Sequence, residues 1–558
     1  MIKPVTRRQA LAAPLAFTAC GRHDPYFGKS IPPGRQSLVY EIYSEPSSLD
    51  PAANLGSSEA YIMPALLEGL LSEDPLTREP TAGLATHYEV NAALTEFTFF
   101  LRGHPSPRGT QLRGSTAPCD PALWSDGQRV TADDFVYAWR RMADPAVGGG
   151  NSSLFPLANA EEIAEGKSRP ETLGVHADDD FTLRVSLKMP TAHFLRVAGI
   201  YYCSAVPRHA IEQYGSAWTE PGRMPSCGPF LLHQWRPYDR LVLRKNPRYY
   251  DAHRVRLDEV IFLPIADGAT GVSLYKTGSA FAMHGRAVPP LWIPALRGKK
   301  DFHSTPANRS LFHVFNTTKP PFDNVLVRYA FQMATNKDEI ARFLDGGQTA
   351  ASTVIPPFGG YQGITKLEVE AGGRFWDVLS YDPEGARALM TIARAARPVF
   401  DLTYPNRTRS KEIAEILQRQ WQTNLGALVN LVMVDWNVWG QMLNSVTFHG
   451  VSESGGGADY ADPNSFFEMF TGRTDGSGWT DPEFSRLLDY ANAEPEPGVR
   501  MQKLAAVEER LLRAMPVLPL FFDAYSCLQK PYVRDLPLEA YDRPQFKYAW
   551  IDTNWRPS

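Results

Sequence analysis

Residues 122–145 read ALWSDGQRVTADDFVYAWRRMADP, and this stretch decides how the rest of the chain is read. Ser125, Asp126 and Gly127 make a turn, since Asp bonds its own backbone and Gly tolerates a left-handed conformation. Thr131 stands where a helix N-cap is needed, and Asp134, three residues on, reaches back as in a capping box. A helix follows in which Phe135, Ala138, Trp139 and Met142 recur at helical spacing and form one apolar face. Arg140 and Arg141 fall outside that stripe. These side chains form no catalytic constellation, so the segment reads as scaffold.

Outward from it, the chain has 558 residues, too many for one hydrophobic core. At roughly 100 to 200 residues per domain, about three domains are expected. Hydrophobic residues make up 43% and aromatics 11%, the composition of a folded globular protein. Lys and Arg number 57 against 61 Asp and Glu, a net charge of −4, so no global basic field exists and a nucleic-acid partner is not expected.

The head is a targeting segment over 1–20. Lys3, Arg7 and Arg8 precede an apolar run over 10–19, far shorter than the roughly 20 residues that span a bilayer. Thr18 and Ala19 before Cys20 look like a lipobox, which makes Cys20 the lipidation candidate, although Phe17 is bulkier than the usual aliphatic residue. The Thr6-Arg7-Arg8-Gln9 run is also compatible with a twin-arginine signal, and either route exports the chain. Cys119, Cys203, Cys227 and Cys527 are then an even set in an oxidising compartment, with three connectivities if all pair.

Strands are expected over 38–43, 97–101, 183–187, 230–234, 241–243 and 260–263, and a packed helix over 61–71, while the Pro/Gly-rich run 103–121 reads as a surface loop. From 316 a different unit begins. Asp323 can cap a helix carrying Val327, Ala330, Phe331 and Ala334, and Ser410 can cap another with Ile413, Ile416, Leu417 and Trp421. A strand over 429–434 follows, then a helix through Leu504, Val507, Leu511 and Met515, and a strand over 517–522. Helix then strand, repeated, indicates an α/β layer.

Catalytic motifs do not emerge. Gly450-Val451-Ser452-Glu453-Ser454 fails the last position of a nucleophile elbow, and no HExxH or P-loop pattern occurs. His87, His233, His313 and His449 are scattered without ligand spacing. No enzyme activity, metal or cofactor is expected.

The 122–145 stretch resembles the signature of the bacterial extracellular solute-binding proteins of family 5, a family led by periplasmic oligopeptide-binding proteins. EPSSLDP over 45–51, EGLL over 68–71, CGPFLLHQWRPYDRLVLRKNPRYYD over 227–251, NTTKPPFDNVLVRYAFQMATNK over 316–337 and KPYV over 530–533 resemble it in the same order. The resemblance implies a two-lobed periplasmic-binding-protein fold of type II, in its large class with a third inserted domain, built of mixed sheets with flanking helices. It places a discontinuous first lobe at 36–67, 195–307 and 525–558, the inserted domain at 68–194 and the second lobe at 308–524. It also sets Cys203, after a strand-like Tyr201-Tyr202 run, near Cys227, where a bridge and free buried thiols both stand open.

The segment GGGADYADP over 455–463 carries the functional reading. Asp462 before Pro463 is a helix N-cap with Pro at N1, which leaves Asp459 without a capping role. By the resemblance, Asp459 is similar to the aspartate that pairs with a ligand's α-ammonium group. Gly455, Gly456 and Gly457 leave backbone groups open to strand addition by an extended ligand. Leu55, Gly56 and Ser57 would form the opposite lip, Trp436 would wall a side-chain pocket and Phe312 would add an aromatic.

Two departures stand out. Gly456 replaces the Trp of a W-x-A-D-Y pattern, which would loosen one pocket, and Glu453 stands where some relatives have arginine, where it would repel a ligand carboxylate. An amine-bearing ligand without a nearby carboxylate fits these residues. The expected function is capture of a peptide or peptide-like solute for an ABC permease, by a monomer in the periplasm or anchored to the envelope by lipid alone. An opine, a metal chelate or an oligosaccharide is the alternative ligand class, and a secreted hydrolase or a structural envelope protein are the other readings.

Overall fold

The computed structural model describes residues 24–53, 56–116, 119–147, 156–357, 360–471, 476–538 and 543–557. The targeting segment with Cys20, and Leu55, lie outside them.

The opening stretch forms the helix Ala132–Ala143, with Phe135, Ala138, Trp139 and Met142 buried as its spacing requires. The Asp134 carboxylate accepts from the Thr131 N–H at 2.9 Å and from Trp124 Nε1 at 3.2 Å, so the capping interaction is also what seats the tryptophan. Arg141, outside the apolar stripe, clamps Asp50 of the 45–51 segment through two hydrogen bonds of 3.0 and 2.8 Å. Trp218 Nε1 donates to the same carboxylate at 3.0 Å. Burial raises the Asp50 pKa, but the Arg141 guanidinium outweighs it and holds the group below its usual range. This fork fixes two segments far apart in sequence.

Three sheets organise the chain. The first is mixed, in the order Ala282–Met283, Ser37–Ile42, Glu259–Pro264, Arg240–Lys245, Phe230–Arg236, with Ser37–Ile42 parallel to both neighbours. The second is antiparallel throughout, Thr110–Gln111, Ala85–Val90, Glu96–Leu101, Thr182–Ser186, Val175–Asp179, and the helix Ala132–Ala143 packs on its last two strands. The third has six strands, Thr349–Ala350, Val517–Leu528, Phe302–Phe315, Gly450–Gly457, Val399–Pro405, Leu428–Val434.

The crossing between the first and third sheets is made by two long strands. Phe302–Phe315 and Val517–Leu528 run antiparallel from Phe302 opposite Leu528 to Val314 opposite Val517, and the ladder breaks between Pro306 and Ser310. Proline has no N–H to offer such a ladder, so the break falls where pairing is weakest. At one end, Leu528 and Cys527 pack with Val272, Tyr275 and Met283 beside the first sheet. At the other, Phe315 joins Phe322, Phe331, Phe400 and Trp421 in the core of the third.

Several expectations are corrected. The helix expected over 61–71 is Glu59–Leu66, and Leu71 begins the strand Leu71–Glu73, because a continuous apolar run does not by itself separate buried helix from buried strand. The 103–121 loop contains the edge strand Thr110–Gln111. Tyr201–Cys203 is a turn of 3-10 helix, not a strand. Asn324, not Asp323, caps Val325–Met333, its Oδ1 accepting from the Leu326 N–H at 2.9 Å. Ser410 lies inside the helix Thr408–Leu425. Cys119, Cys203, Cys227 and Cys527 are free thiols, so the Cys203–Cys227 bridge falls away. Cys227 Sγ instead accepts from the Glu68 N–H at 3.3 Å.

Candidate ligand-binding site

A cavity of about 300 Å³ opens between the first and third sheets. One wall carries Gly56, Ser57, Tyr201, Arg286 and Arg543; the facing wall carries Asn308, Arg309, Gly457, Asp459 and Tyr525. Strand ends and the loops beyond them supply both walls, the usual source of binding groups on a rigid scaffold.

The facing wall is built on the strand Gly450–Gly457. Along its whole length it pairs with Phe302–Phe315, from Val451 opposite Phe315 to Gly457 opposite Arg309. Its other neighbour, Val399–Pro405, pairs with it only at Gly450, Val451 and Ser452. From Glu453 to Gly457 that second edge has no strand partner among the described residues. An unpaired edge leaves main-chain donors and acceptors available to an extended ligand. Trp439 Nε1 takes one of them, the Glu453 carbonyl, at 3.2 Å.

The three glycines differ. A side chain at Gly455 would meet the Ser310 carbonyl at 2.8 Å, so this glycine serves the close approach of two strands. At Gly456 it would meet Met469 Sδ at 2.5 Å. Met469 thus occupies the volume that a larger residue at 456 would take, and no loosened pocket results. Only Gly457 faces the cavity, with Arg309 Nη1 at 3.7 Å from the place where a side chain would begin.

Asp459 ends this wall, its side chain 45% exposed. It has an internal partner that the sequence reading did not anticipate. Arg543 Nη2 lies 3.3 Å from Asp459 Oδ1, and Arg543 Nη1 donates to the Asp459 carbonyl at 2.6 Å. Burial works against the Arg543 charge, yet Asp459 and then Tyr201 raise its pKa above the usual value. Asp459 Oδ2 has no hydrogen-bond partner among the described residues, and a carboxylate has capacity for several. Asp462 does not free Asp459 by capping: the helix after it is the short Asn464–Phe467, with Pro463 at its N-cap. Asp462 is instead forked by Arg500 at 2.6 and 2.8 Å, both side chains 5% exposed.

Of the other expected residues, Gly56 and Ser57 form the opposite lip. The Gly56 N–H donates to Glu59 Oε2 at 3.0 Å, and Ser57 Oγ accepts from Arg286 Nη2 at 3.1 Å. Phe312 is 2% exposed and packs on Phe470 in the third sheet's core, outside the cavity. Trp436 is 47% exposed, stacked against Trp439 and covered by the Arg407 guanidinium at 3.9 Å, and it does not line the cavity. Glu453 turns away under the helix Thr408–Leu425, where Ser410 Oγ donates to it at 2.9 Å, and burial raises its pKa. Its side chain is not part of the cavity lining, so the expected repulsion of a ligand carboxylate at this wall loses its geometric basis.

The residues that sequence reasoning missed are Arg286, Arg309 and Arg543. Arg309 had a signal, since it interrupts the run into the apolar Leu311-Phe312 of a long strand. Among the described residues, no group of three or more His, Cys, Asp or Glu has the arrangement to hold a metal ion, and no helix is long and apolar enough to cross a membrane.

Comparison with known proteins agrees with this architecture. The chain is 29% identical over 547 residues to the periplasmic oligopeptide-binding protein OppA of Salmonella typhimurium, covering 95% of each. It is 28% identical to the dipeptide-binding protein DppE of Bacillus subtilis, covering 96% of this chain and 93% of that one. The solved structure of the Escherichia coli murein tripeptide binding protein MppA superposes with a TM-score of 0.77 at 25% identity, covering 94% of this chain and 99% of the other. The family described as bacterial extracellular solute-binding proteins, family 5 middle, matches residues 120–478, and the chain belongs to that family.

Proposed function

We propose that this chain is the substrate-binding component of an ABC importer, capturing short peptides in the cavity between its lobes and delivering them to an inner-membrane permease. The observation that carries the reading is a carboxylate, Asp459, one of whose oxygens has no hydrogen-bond partner among the described residues, at the end of a strand whose second edge has no strand partner among them over 453–457. An α-ammonium group fits the first and a peptide backbone the second. Family membership and relatives named for oligopeptide, dipeptide and murein tripeptide binding support it.

In this reading residues 36–67, 195–307 and 525–558 form the first lobe, 68–194 the insertion and 308–524 the second lobe. Ligand contacts with both walls favour the closed population, which the permease recognises. The chain itself catalyses no reaction and works as a monomer in the periplasm, held at the envelope by lipid on Cys20. Thermal denaturation of the full chain against a panel of di- and tripeptides tests this. A ligand at 100 times its dissociation constant adds about 2.7 kcal/mol of stability, and a panel that leaves the transition unmoved contradicts the reading.

A further inference from the structure

The chain is strapped to the first lobe shortly after Cys20. The Phe27 N–H donates to both oxygens of the Asp301 carboxylate, at 2.9 and 3.0 Å, and the Phe27 carbonyl accepts from Lys530 Nζ at 3.0 Å. Tyr275 Oη closes the clamp by donating to Asp301 Oδ2 at 2.7 Å. The main chain is pinned again on either side of Phe27. Lys299 Nζ donates to the Asp24 carbonyl at 2.7 Å, the Lys300 N–H to the Pro25 carbonyl at 2.8 Å and the Lys29 N–H to the Lys276 carbonyl at 2.9 Å. From Cys20 to Asp24 an extended chain reaches at most roughly 14 Å. A lipid on Cys20 therefore brings the surface around 24–29 to within about two Debye lengths of the headgroups.

That surface is basic, although the chain as a whole carries a net charge of −4. The stretches that build it, 24–31, 268–280 and 291–300, hold Lys29, Lys276, Arg297, Lys299 and Lys300 against one acid, Asp24. Asp24 Oδ1 is turned back onto the Tyr26 N–H at 3.0 Å, and Asp301, next in sequence, is 1% exposed. Arg297 is answered from the second lobe by Asp345 at 2.5 Å. The four lysines have no ion pair among the described residues, and Lys29, Lys276 and Lys300 are exposed. The Phe27 ring gathers these parts in space, with Lys276 Nζ 6.0 Å from its centre and the Trp292 ring edge-on at 6.2 Å. Leu291, beside that tryptophan, is 91% exposed. A projecting leucine, a half-buried tryptophan and unpaired lysines are the composition of a surface that meets a membrane interface.

We propose that this face of the first lobe, with Lys29, Lys276, Lys299 and Lys300 around the strapped segment and Leu291 at its crest, lies against anionic phospholipid headgroups. This rests on the lipid attachment at Cys20 proposed above and extends it. The acyl group holds the chain at the membrane, and the lysines set which way the first lobe faces. Attraction of this kind needs negatively charged headgroups and fades with salt.

Co-sedimentation of the full chain with vesicles of phosphatidylcholine, alone or with one-third phosphatidylglycerol, tests it. Binding is expected to be tighter to the anionic vesicles. Lys29→Gln, Lys276→Gln and Lys300→Gln together are expected to lower that affinity about 10-fold or more, and arginine at the same three positions to retain it. Leu291→Gln is expected to weaken it less. Lys188→Gln, Lys366→Gln and Lys411→Gln together remove equal charge from lysines ion-paired elsewhere, and are expected to bind as the wild type does. Equal effects of the two triple variants, or none from either, overturn the face. Mass spectrometry of Cys20 separates the two claims. Lipid on Cys20 with lysine-independent binding keeps the anchor and overturns the face; lysine-dependent binding to anionic vesicles by a chain without that lipid keeps the face and overturns the anchor. Lysine-dependent binding to native membranes that protease treatment removes, with none to vesicles, assigns the face to a protein partner and overturns the proposal.

Discussion

Arg543 reaches across the cleft to Asp459, with Nη2 3.3 Å from the carboxylate and Nη1 2.6 Å from the backbone carbonyl of the same residue. The C-terminal segment of the chain therefore holds the end of the strand Gly450–Gly457 from the opposite side. A paired aspartate is a weaker lure for an ammonium group than a bare one, but it is also a positioned one. The guanidinium engages one oxygen, and the other has no hydrogen-bond partner among the described residues. Exchange of a half-exposed carboxylate between an internal and an external cation costs far less than creating a charge in a dry interior.

The Asp462–Arg500 pair behaves differently, since both members are buried and His193 Nδ1 also lies 3.1 Å from Arg500 Nη2. Burial raises the Asp462 pKa, and Arg500 then lowers it below the usual range. Asp462→Asn leaves a buried guanidinium uncompensated and is expected to cost about 3–5 kcal/mol of stability, read from urea denaturation. A loss under 1 kcal/mol would mean that water reaches this site.

Acid stability follows from three buried histidines. Burial lowers the pKa of His193, His284 and His313 from 6.5 to about 3 each. Between those values the unfolded chain binds protons that the folded chain does not, so stability rises with pH across this window and is lost as pH falls from about 6.5. His313 has no hydrogen-bond partner on either ring nitrogen among the described residues. His313→Leu is expected to flatten the slope of unfolding free energy between pH 5 and 6.5, and an unchanged slope would show that His313 does not contribute.

Two neighbouring glycines should part company. Gly455→Ala sets a methyl 2.8 Å from the Ser310 carbonyl and is expected to lose about 1–3 kcal/mol, because two paired strands must separate. Gly457→Ala meets nothing closer than 3.5 Å and should melt with the wild type while narrowing the cleft. Equal melting of both variants contradicts the assignment of Gly455 to strand packing.

Much of the scaffold was legible because its signals are local. The capping pair Thr131 and Asp134 and the apolar stripe from Phe135 to Met142 each act within a turn or two of chain. The site was less legible because its geometry is not local. Asp459 and Arg543 are 84 residues apart, and nothing in either segment announces the other. Phe312 and Gly456 were misplaced for a related reason: alternation along a strand says that successive residues face opposite sides, but the side that meets the cleft depends on the crossing of the two sheets. Glu453 needed knowledge that Ser410 sits inside a helix above it.

The most direct test of the central claim is calorimetry of Ala-Ala with wild-type protein and Asp459→Asn, beside N-acetylated Ala-Ala. The account predicts saturable binding of the free peptide, a loss of about 1.5–3 kcal/mol in Asp459→Asn, and no further loss for the acetylated peptide in that variant. Equal affinity of wild type and Asp459→Asn for the free amine would contradict it.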